Sequence, residues 1–299
     1  MTRQRRMKSQ FGKVQIRRNI KDLIQRLPGA ESALIRVYHW GGAKPWSLGY
    51  SAYKRRKIRL ALENDLGYFH GGSLPDRYGN GLDERIVEYP WFFSRLKSSE
   101  TVLLDAGAAL NHSEILESGL LQNKQLHIMT LHPEIEYRLP LKPSYHYGDF
   151  RNAPFQDGYF DAIVCISSLE HVGMDNTFLY GFGRAAGDGG NQSAFLEAVR
   201  EFHRMLKKQG TLYVTVPYGA YADHRWFQIF SAKMVEALKN AFQPACVHER
   251  YYRYDADQWA LNDALACDHG QYFDIHNEQK PKGPRVAAAE CVACLELVK

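Results

Sequence analysis

Apolar and polar positions change rhythm once along the chain, near residue 100. Before that point no stretch alternates as a half-buried strand does. Ile16, Ile20, Leu23, Ile24 and Leu27 recur at helical spacing, and a second helical stretch covers 52–64. The Gly-rich loop "YFHGGSLPDRYGNGLDE" follows, and "ERIVEYPWFFSRL" predicts a helix kinked or started near Pro90. After residue 100, short apolar runs alternate with helical stripes. Strands are predicted at 101–106, 126–131, 145–149, 160–167 and 211–217, with helices at 112–121, 193–208 and 231–242. In the clearest helix, Phe195, Val199, Phe202 and Leu206 form the stripe and Gly210 stands as a stop. Two later strands, near 246–254 and 287–298, close the series.

Alternating apolar strands and helices predict a mostly parallel sheet covered on both faces, and right-handed crossovers make it doubly wound. The chain therefore divides into a mainly helical N-terminal extension, 1–98, and an α/β domain, 99–299, carrying a Gly-rich insertion at 173–192. A loop of that length over a ligand site suits a lid or a substrate-binding element. The acid- and aromatic-rich stretch 255–274 is expected to complete a pocket wall, where aromatic faces suit a sugar ring.

Charge changes this picture at one end only. The net charge is +5, but residues 1–26 alone hold nine Lys or Arg against Asp22, so the remaining chain is −3. A basic amphipathic helix can dock on its own protein, lie on an anionic membrane surface, or meet a partner. Nucleic acid is the least expected partner, because the body after residue 26 is mildly acidic. No apolar run reaches the roughly 18 residues that span a bilayer, and the basic start leads into no apolar signal region. A cytoplasmic protein is expected, with a peripheral place at the inner membrane face open to it. Five scattered cysteines read as free thiols. Cys291 and Cys294 form a C-x-x-C inside "AAAECVACLELV", which reads as a buried strand, so no metal is expected.

In a doubly wound sheet, ligands bind beyond the carboxyl ends of the strands. That directs attention to "LLDAGAALNHSEIL" after the first strand, Thr130 after the second, and Asp149-Phe150 after the third. Ser167 to His171 follow the fourth strand and Pro217 to Gly219 the fifth. Of a G-x-G-x-x-G loop only Gly107 is present, with Ala109 and Asn111 at the next alternating positions. The loop is thus poorly suited to a pyrophosphate, which argues against a dinucleotide enzyme.

"YHYGDFRNAPFQDGYFDAIVCISSLEHV" followed by "REFHRMLKKQGTLYVTVPYG" resembles the second half of class I S-adenosylmethionine-dependent methyltransferases. The resemblance covers residues 101–217, and the final "AAAECVACLELVK" is similar to the antiparallel strand that ends that fold. It implies a seven-stranded Rossmann-like sheet with an antiparallel last strand, and S-adenosylmethionine as cofactor. It also implies that Asp105, Gly107 and Ala109 form the loop around the methionine end. Asp149 would accept from the adenine amino group with Phe150 beside the ring, and Ser167 and Ser168 would line the pocket near the sulfonium. The family carries an acid at the end of strand two, gripping the ribose. Here Thr130 stands there, with Glu134 and Glu136 as the nearest acids.

Methyl transfer is an in-line displacement in which the protein aligns the nucleophile and takes its proton. His171 and His224 are the candidate bases. His112, beside the loop, belongs to the start of the following helix. Asp223, Arg225 and Trp226 are candidates for holding a polar substrate. The combination "ISSLEHVGM", "GFGR" and "VPYG...DHRWFQIFS", with "DERIVEYPWFFSRL" upstream, is similar to methyltransferases of bacterial surface-polysaccharide gene clusters. That implies O-methylation of a sugar, nucleotide-sugar or glycan terminus, and membrane-face assembly would give the basic segment a role. Two alternatives stand beside it. One is a catalytically degenerate methyltransferase-like partner protein in such an assembly, which Thr130 and Asn111 keep open; the other is an RNA methyltransferase.

Overall fold

The computed structural model of the chain describes residues 29–132, 142–177, 190–274 and 288–299. The helical stretch 14–27, Glu134, Glu136 and the middle of the 173–192 insertion lie outside them. Strand β1 (Val102–Ala106) pairs in parallel with β2 (Gln125–Thr130) on one side and β4 (Phe160–Ile166) on the other. β3 (Ser144–Tyr147) extends the sheet beyond β2, and β5 (Leu206–Pro217) continues it beyond β4. The chain reverses its direction of strand addition between β1 and β4, so the crevice above their carboxyl ends is the topological switch point.

Beyond β5 the sheet turns antiparallel. β10 (Cys291–Val298) sits between β5 and β8 (Cys246–Asp255), antiparallel to both. The full order is β3-β2-β1-β4-β5-β10-β8-β9. This is the Rossmann-like arrangement of the expected fold, with one strand more than the seven expected. The eighth, β9 (Gln258–Asn262), comes from the stretch read as pocket wall; it forms a hairpin with β8 at the far edge. Cys291 and Cys294 belong to the cores on opposite faces of the sheet, so the C-x-x-C presents no joint ligand pair.

Two helices depart from their predicted bounds. The helix after the insertion, α5 (Phe195–Met205), stops before Lys207 and Lys208, and Leu206 already pairs with Phe160. Gly210 therefore lies in a strand: a Cβ there would stand 3.0 Å from the Asp161 carbonyl oxygen. The helix expected at 112–121 shrinks to α4 (Ser113–Leu116). With α6 (Ala232–Phe242), α5 covers one sheet face, burying Phe195, Val199, Phe202, Leu238 and Phe242 against Leu104, Ile163 and Val214.

The N-terminal extension covers the other face. Its helices are α1 (Ala30–Trp40), α2 (Tyr50–Asn64) and α3 (Arg85–Arg95). Tyr38, Tyr50, Ile58, Trp91 and Phe92 join Leu103, Ile128, Val164 and Tyr213 in one continuous core. Pro90 lies inside α3 without ending it. Proline has no N–H to offer the carbonyl four residues back. Here the Tyr78 hydroxyl donates to that Ile86 oxygen instead, at 3.2 Å.

The β8–β9 hairpin locks the extension in place. Trp259, fully buried, donates its indole N–H to the Leu82 carbonyl (3.0 Å) and its backbone N–H to Tyr78 (2.9 Å). The Tyr254 hydroxyl accepts from the Gly81 N–H. Trp259→Ala should therefore destabilise the fold by about 3–5 kcal/mol in urea unfolding. A loss below about 1 kcal/mol would show that the hairpin is not the clamp.

Candidate functional site

A cleft of about 160 Å³ opens at the switch point. It is lined by Gly107 from the loop after β1, Thr130 and Leu131 after β2, and Asp149 and Phe150 after β3. Ser167, Ser168, His171, Val172, Gly173 and Asn176 after β4 complete it. No Lys or Arg is among these lining residues.

Asp105, although central to the loop, does not line the cleft. Its buried carboxylate accepts from the backbone N–H groups of Ala109 (3.1 Å) and Leu110 (2.8 Å), curling the loop back on the strand end. Burial raises its pKa to about 7, against the lowering effect of those two bonds and the Arg85 charge. Ala109 is buried in the core shared with the extension, and Asn111 accepts from the Tyr145 hydroxyl. The glycine that survives is the one geometry demands. Gly107 has φ 121°, and a Cβ there would stand 1.9 Å from Ser168 Oγ. Ala at 109 carries a methyl that is simply packed.

The loop is held from above by α3. Tyr89, buried, donates its hydroxyl to the Ala109 carbonyl at 2.7 Å. One residue earlier, the fully buried Glu88 accepts from Ser167 Oγ and Thr215 Oγ1, both at 2.6 Å, and pairs with Arg85. Ser167, with φ 39°, thus turns its hydroxyl toward the extension, and Ser168 donates its own to the Ile166 carbonyl. Sequence reading assigned both serines to the cofactor side; the structure gives their hydroxyls protein partners.

At the adenine end expected for Asp149, the carboxylate is clasped by Arg151. The Arg151 backbone N–H and Nε reach Oδ1 at 2.9 and 3.1 Å, and Nη2 reaches Oδ2 at 2.8 Å. Thr130, 3% exposed, presents a neutral hydroxyl at the end of β2.

The opposite end is a polar wall. His171 Nδ1 lies 2.8 Å from the Trp226 carbonyl, and its ring stacks on the Trp226 indole with centroids 5.2 Å apart. That contact fixes the proton on Nδ1 and leaves Nε2 as an acceptor, 4.0 Å from Glu170 Oε1. Desolvation lowers the His171 pKa to about 4; the Trp226 carbonyl works against the shift, and the Arg85 charge adds to it. Glu170 is 4% exposed, and its Oε2 has no hydrogen-bond partner among the described residues. Burial raises its pKa to about 8, with Glu88 and Glu84 adding and its own backbone N–H and Arg85 subtracting.

His224 lies farther out and does not line the cleft. It stacks on Phe227 at 4.4 Å, with Nδ1 3.9 Å from Asp274 Oδ2, while Trp226 Nε1 donates to the same carboxylate. Asp223 and Arg225 occupy a small hairpin, β6 (Ala222–Asp223) and β7 (Gln228–Ile229). There the Asp223 carboxylate accepts from the Arg225 backbone N–H at 2.7 Å, closing the turn. Of the predicted bases and substrate residues, His171 alone lines the cleft, with Trp226 directly behind it.

Sequence reading missed Arg85 and Glu88, and it placed Glu170 only as part of the "LEH" expected to line the pocket, with no role of its own. Glu88 and Arg85 lie upstream of the sheet in a helix, and Glu88 meets Ser167 and Thr215 from 79 and 127 residues away. Glu170 was visible in "SSLEHV", but only burial distinguishes a polar helix-turn residue from a site residue.

Residues 130–214 match the family model described as "Methyltransferase domain". No curated protein matches the chain. Among solved structures, the chain is similar to a protein of Bacillus halodurans C-125 provisionally classed as a methyltransferase, at 13% identity and a TM-score of 0.41, covering 69% of this chain and 94% of that one. It is similar to an O-methyltransferase family protein of Burkholderia thailandensis (9%, 0.38, 71% and 57%). It is also similar to a Haemonchus contortus phosphoethanolamine N-methyltransferase in complex with S-adenosylhomocysteine (12%, 0.37, 52% and 36%).

His171 should remain neutral from pH 8 down to about 4, with its proton on Nδ1. Imidazole nitrogen NMR checks this, and a midpoint near the ordinary value of about 6.5 would contradict the assigned environment.

Proposed function

We propose that this chain is an S-adenosylmethionine-dependent methyltransferase that acts on a hydroxyl of a sugar, nucleotide-sugar or glycan terminus. The observation that carries the reading is a single cleft at the switch point. It joins the Gly107, Asp149 and Phe150 surfaces to His171.

The lining residues fit the cofactor. Gly107 leaves the loop backbone open to it, Phe150 supports an adenine face, and Asp149 is fixed by Arg151 as an acceptor for the adenine amino group. A lining free of Lys and Arg suits a nucleoside without phosphates. When bound, S-adenosylmethionine supplies an electrophilic methyl on its sulfonium. The chain's own residues then orient the acceptor hydroxyl and take its proton. His171 Nε2 is the acceptor that lines the cleft, and Trp226 fixes its tautomer. Glu170 stands beside it and, when ionised, stabilises the imidazolium that forms. A polar wall offering both donors and acceptors suits a polyhydroxyl substrate.

One observation favours a second reading, a non-catalytic partner that keeps the fold: Thr130 places no carboxylate at the end of β2. The two readings separate on cofactor binding. S-Adenosylhomocysteine at about 100 times its dissociation constant should stabilise the protein by roughly 2.7 kcal/mol in thermal unfolding. Asp149→Ala should weaken that binding at least about tenfold. No stabilisation at millimolar ligand sinks the enzyme reading.

Turnover should be followed as S-adenosylhomocysteine formation with nucleotide-sugar acceptors. His171→Ala should spare cofactor binding and lower the rate by about 10²–10⁴-fold. Because Glu170 releases its proton only near pH 8, the rate should rise with pH up to about 8. Glu170→Gln should flatten that rise; an unchanged profile would remove Glu170 from the mechanism.

A further inference from the structure

The charge of this protein is divided between two poles. Residues 29–64 hold seven Lys or Arg against Glu31 and Glu63, and the 28 residues before them add a net +8. Residues 65–299 are correspondingly acidic, at −8. The basic pole is built by α1, α2 and the connection between them, which is folded back so tightly that a Cβ on Gly49 would meet the Leu34 carbonyl oxygen at 2.2 Å.

Two features of this helical hairpin are unexplained by the rest of the fold. The first is apolar. Trp40, the last residue of α1, is 85% exposed, and Leu48, just before α2, is 71% exposed; together they flank the tip. Val37 shares the outward stripe of α1 with Trp40 and Arg36, at three- and four-residue spacing. The second is electrostatic. Lys54 pairs with Asp83 and Arg59 with Glu31. Arg36, Lys44, Arg55, Arg56 and Lys57 have no carboxylate partner among the described residues, and Arg36, Lys44, Arg56 and Lys57 are exposed. An exposed indole and an exposed leucine are each unfavourable in water, and positive charges without carboxylate partners on the same hairpin repel one another. Both conditions are relieved by one environment.

We infer that the α1–α2 hairpin docks on an anionic phospholipid surface, with Trp40 and Leu48 entering the interface and the surrounding Lys and Arg side chains meeting lipid phosphates. Tryptophan sits favourably at the headgroup level, and each Lys or Arg near an anionic leaflet strengthens binding about fivefold. Among the described residues no helix is long and apolar enough to cross a bilayer, so the contact is peripheral. RNA would use the same positive charge. However, it has no use for a protruding Trp–Leu tip, and it would be repelled by the acidic remainder of the molecule. The inference does not depend on the methyl-transfer reading.

The test is co-sedimentation of the full chain with large vesicles of phosphatidylcholine alone, or of phosphatidylcholine with about one-third phosphatidylglycerol. Wild type should partition onto the anionic vesicles at low salt, weaken as salt is raised, and ignore the neutral ones. The double variant W40S/L48S should bind at least about tenfold more weakly, whereas W40F should stay within about threefold of wild type. The charge-reversed K44E/R56E should lose binding by a similar or larger factor. All four positions are on the surface, and thermal unfolding of each variant shows that the fold is kept. Partitioning of W40S/L48S equal to wild type would overturn the inference, as would no preference for anionic vesicles. Release of the protein from vesicles by a single-stranded RNA oligonucleotide at equal phosphate concentration would overturn it in favour of a nucleic-acid face.

Discussion

Glu88 is the residue on which the two parts of this molecule agree. It is fully buried, yet it pairs with Arg85 and accepts from hydroxyls at the ends of β4 and β5. A carboxylate in that position is tolerable only because all its partners are present, each charge-assisted bond contributing about 1.5–3 kcal/mol. Its partners are what make the site. Ser167 is held in a left-handed conformation that turns the chain toward Ser168 and His171, and Thr215 ties the next strand end to the same anchor. With Tyr89 gripping the Ala109 carbonyl, α3 fixes both walls of the crevice from outside the sheet. The helical extension is therefore part of the site rather than an appendage to it.

The same arrangement explains the electrostatics of the cleft wall. Arg85 is drawn into an ion pair with Glu88, and its charge also acts on Asp105, Glu170 and His171. Burial nevertheless wins at each of these groups: the two carboxyls are shifted upward toward neutrality and the imidazole downward, also toward neutrality. At neutral pH the wall is largely uncharged but rich in donors and acceptors.

Much of the fold was legible in the sequence, because apolar runs such as "TVLLDA" and "FDAIVCIS" are buried on both faces and leave an unambiguous trace. β9 left none. Its residues, QWALN, alternate weakly, and they form a strand only because Trp259 finds the extension's loop. The lengthening of β5 into "LKKQ" was hidden for a similar reason: three exposed polar residues read as the end of a helix, whereas they form the irregular stretch between the Phe160–Leu206 and Ala162–Thr211 pairs. At the site, the strand-end rule located Gly107, Asp149, Phe150 and His171. It could not separate side chains that face the cleft from those that hold the backbone: the Asp105 carboxylate holds the loop's own N–H groups, while Ser167 and Ser168 line the cleft with hydroxyls that bond within the protein. Glu88 and Arg85 were illegible because Glu88's partners beyond Arg85, Ser167 and Thr215, lie 79 and 127 residues away along the chain.

The central claim is that the crevice beneath α3 is a cofactor site whose far wall performs proton transfer. A crystal structure of the protein with S-adenosylhomocysteine tests it most directly. The account predicts adenine against Phe150 with its amino group toward Asp149, the sulfur close to Gly107, and His171 Nε2 facing the space beyond the sulfur. Density in another groove, such as the one lined by Lys57, Asp76 and Arg77 on the extension, would contradict it.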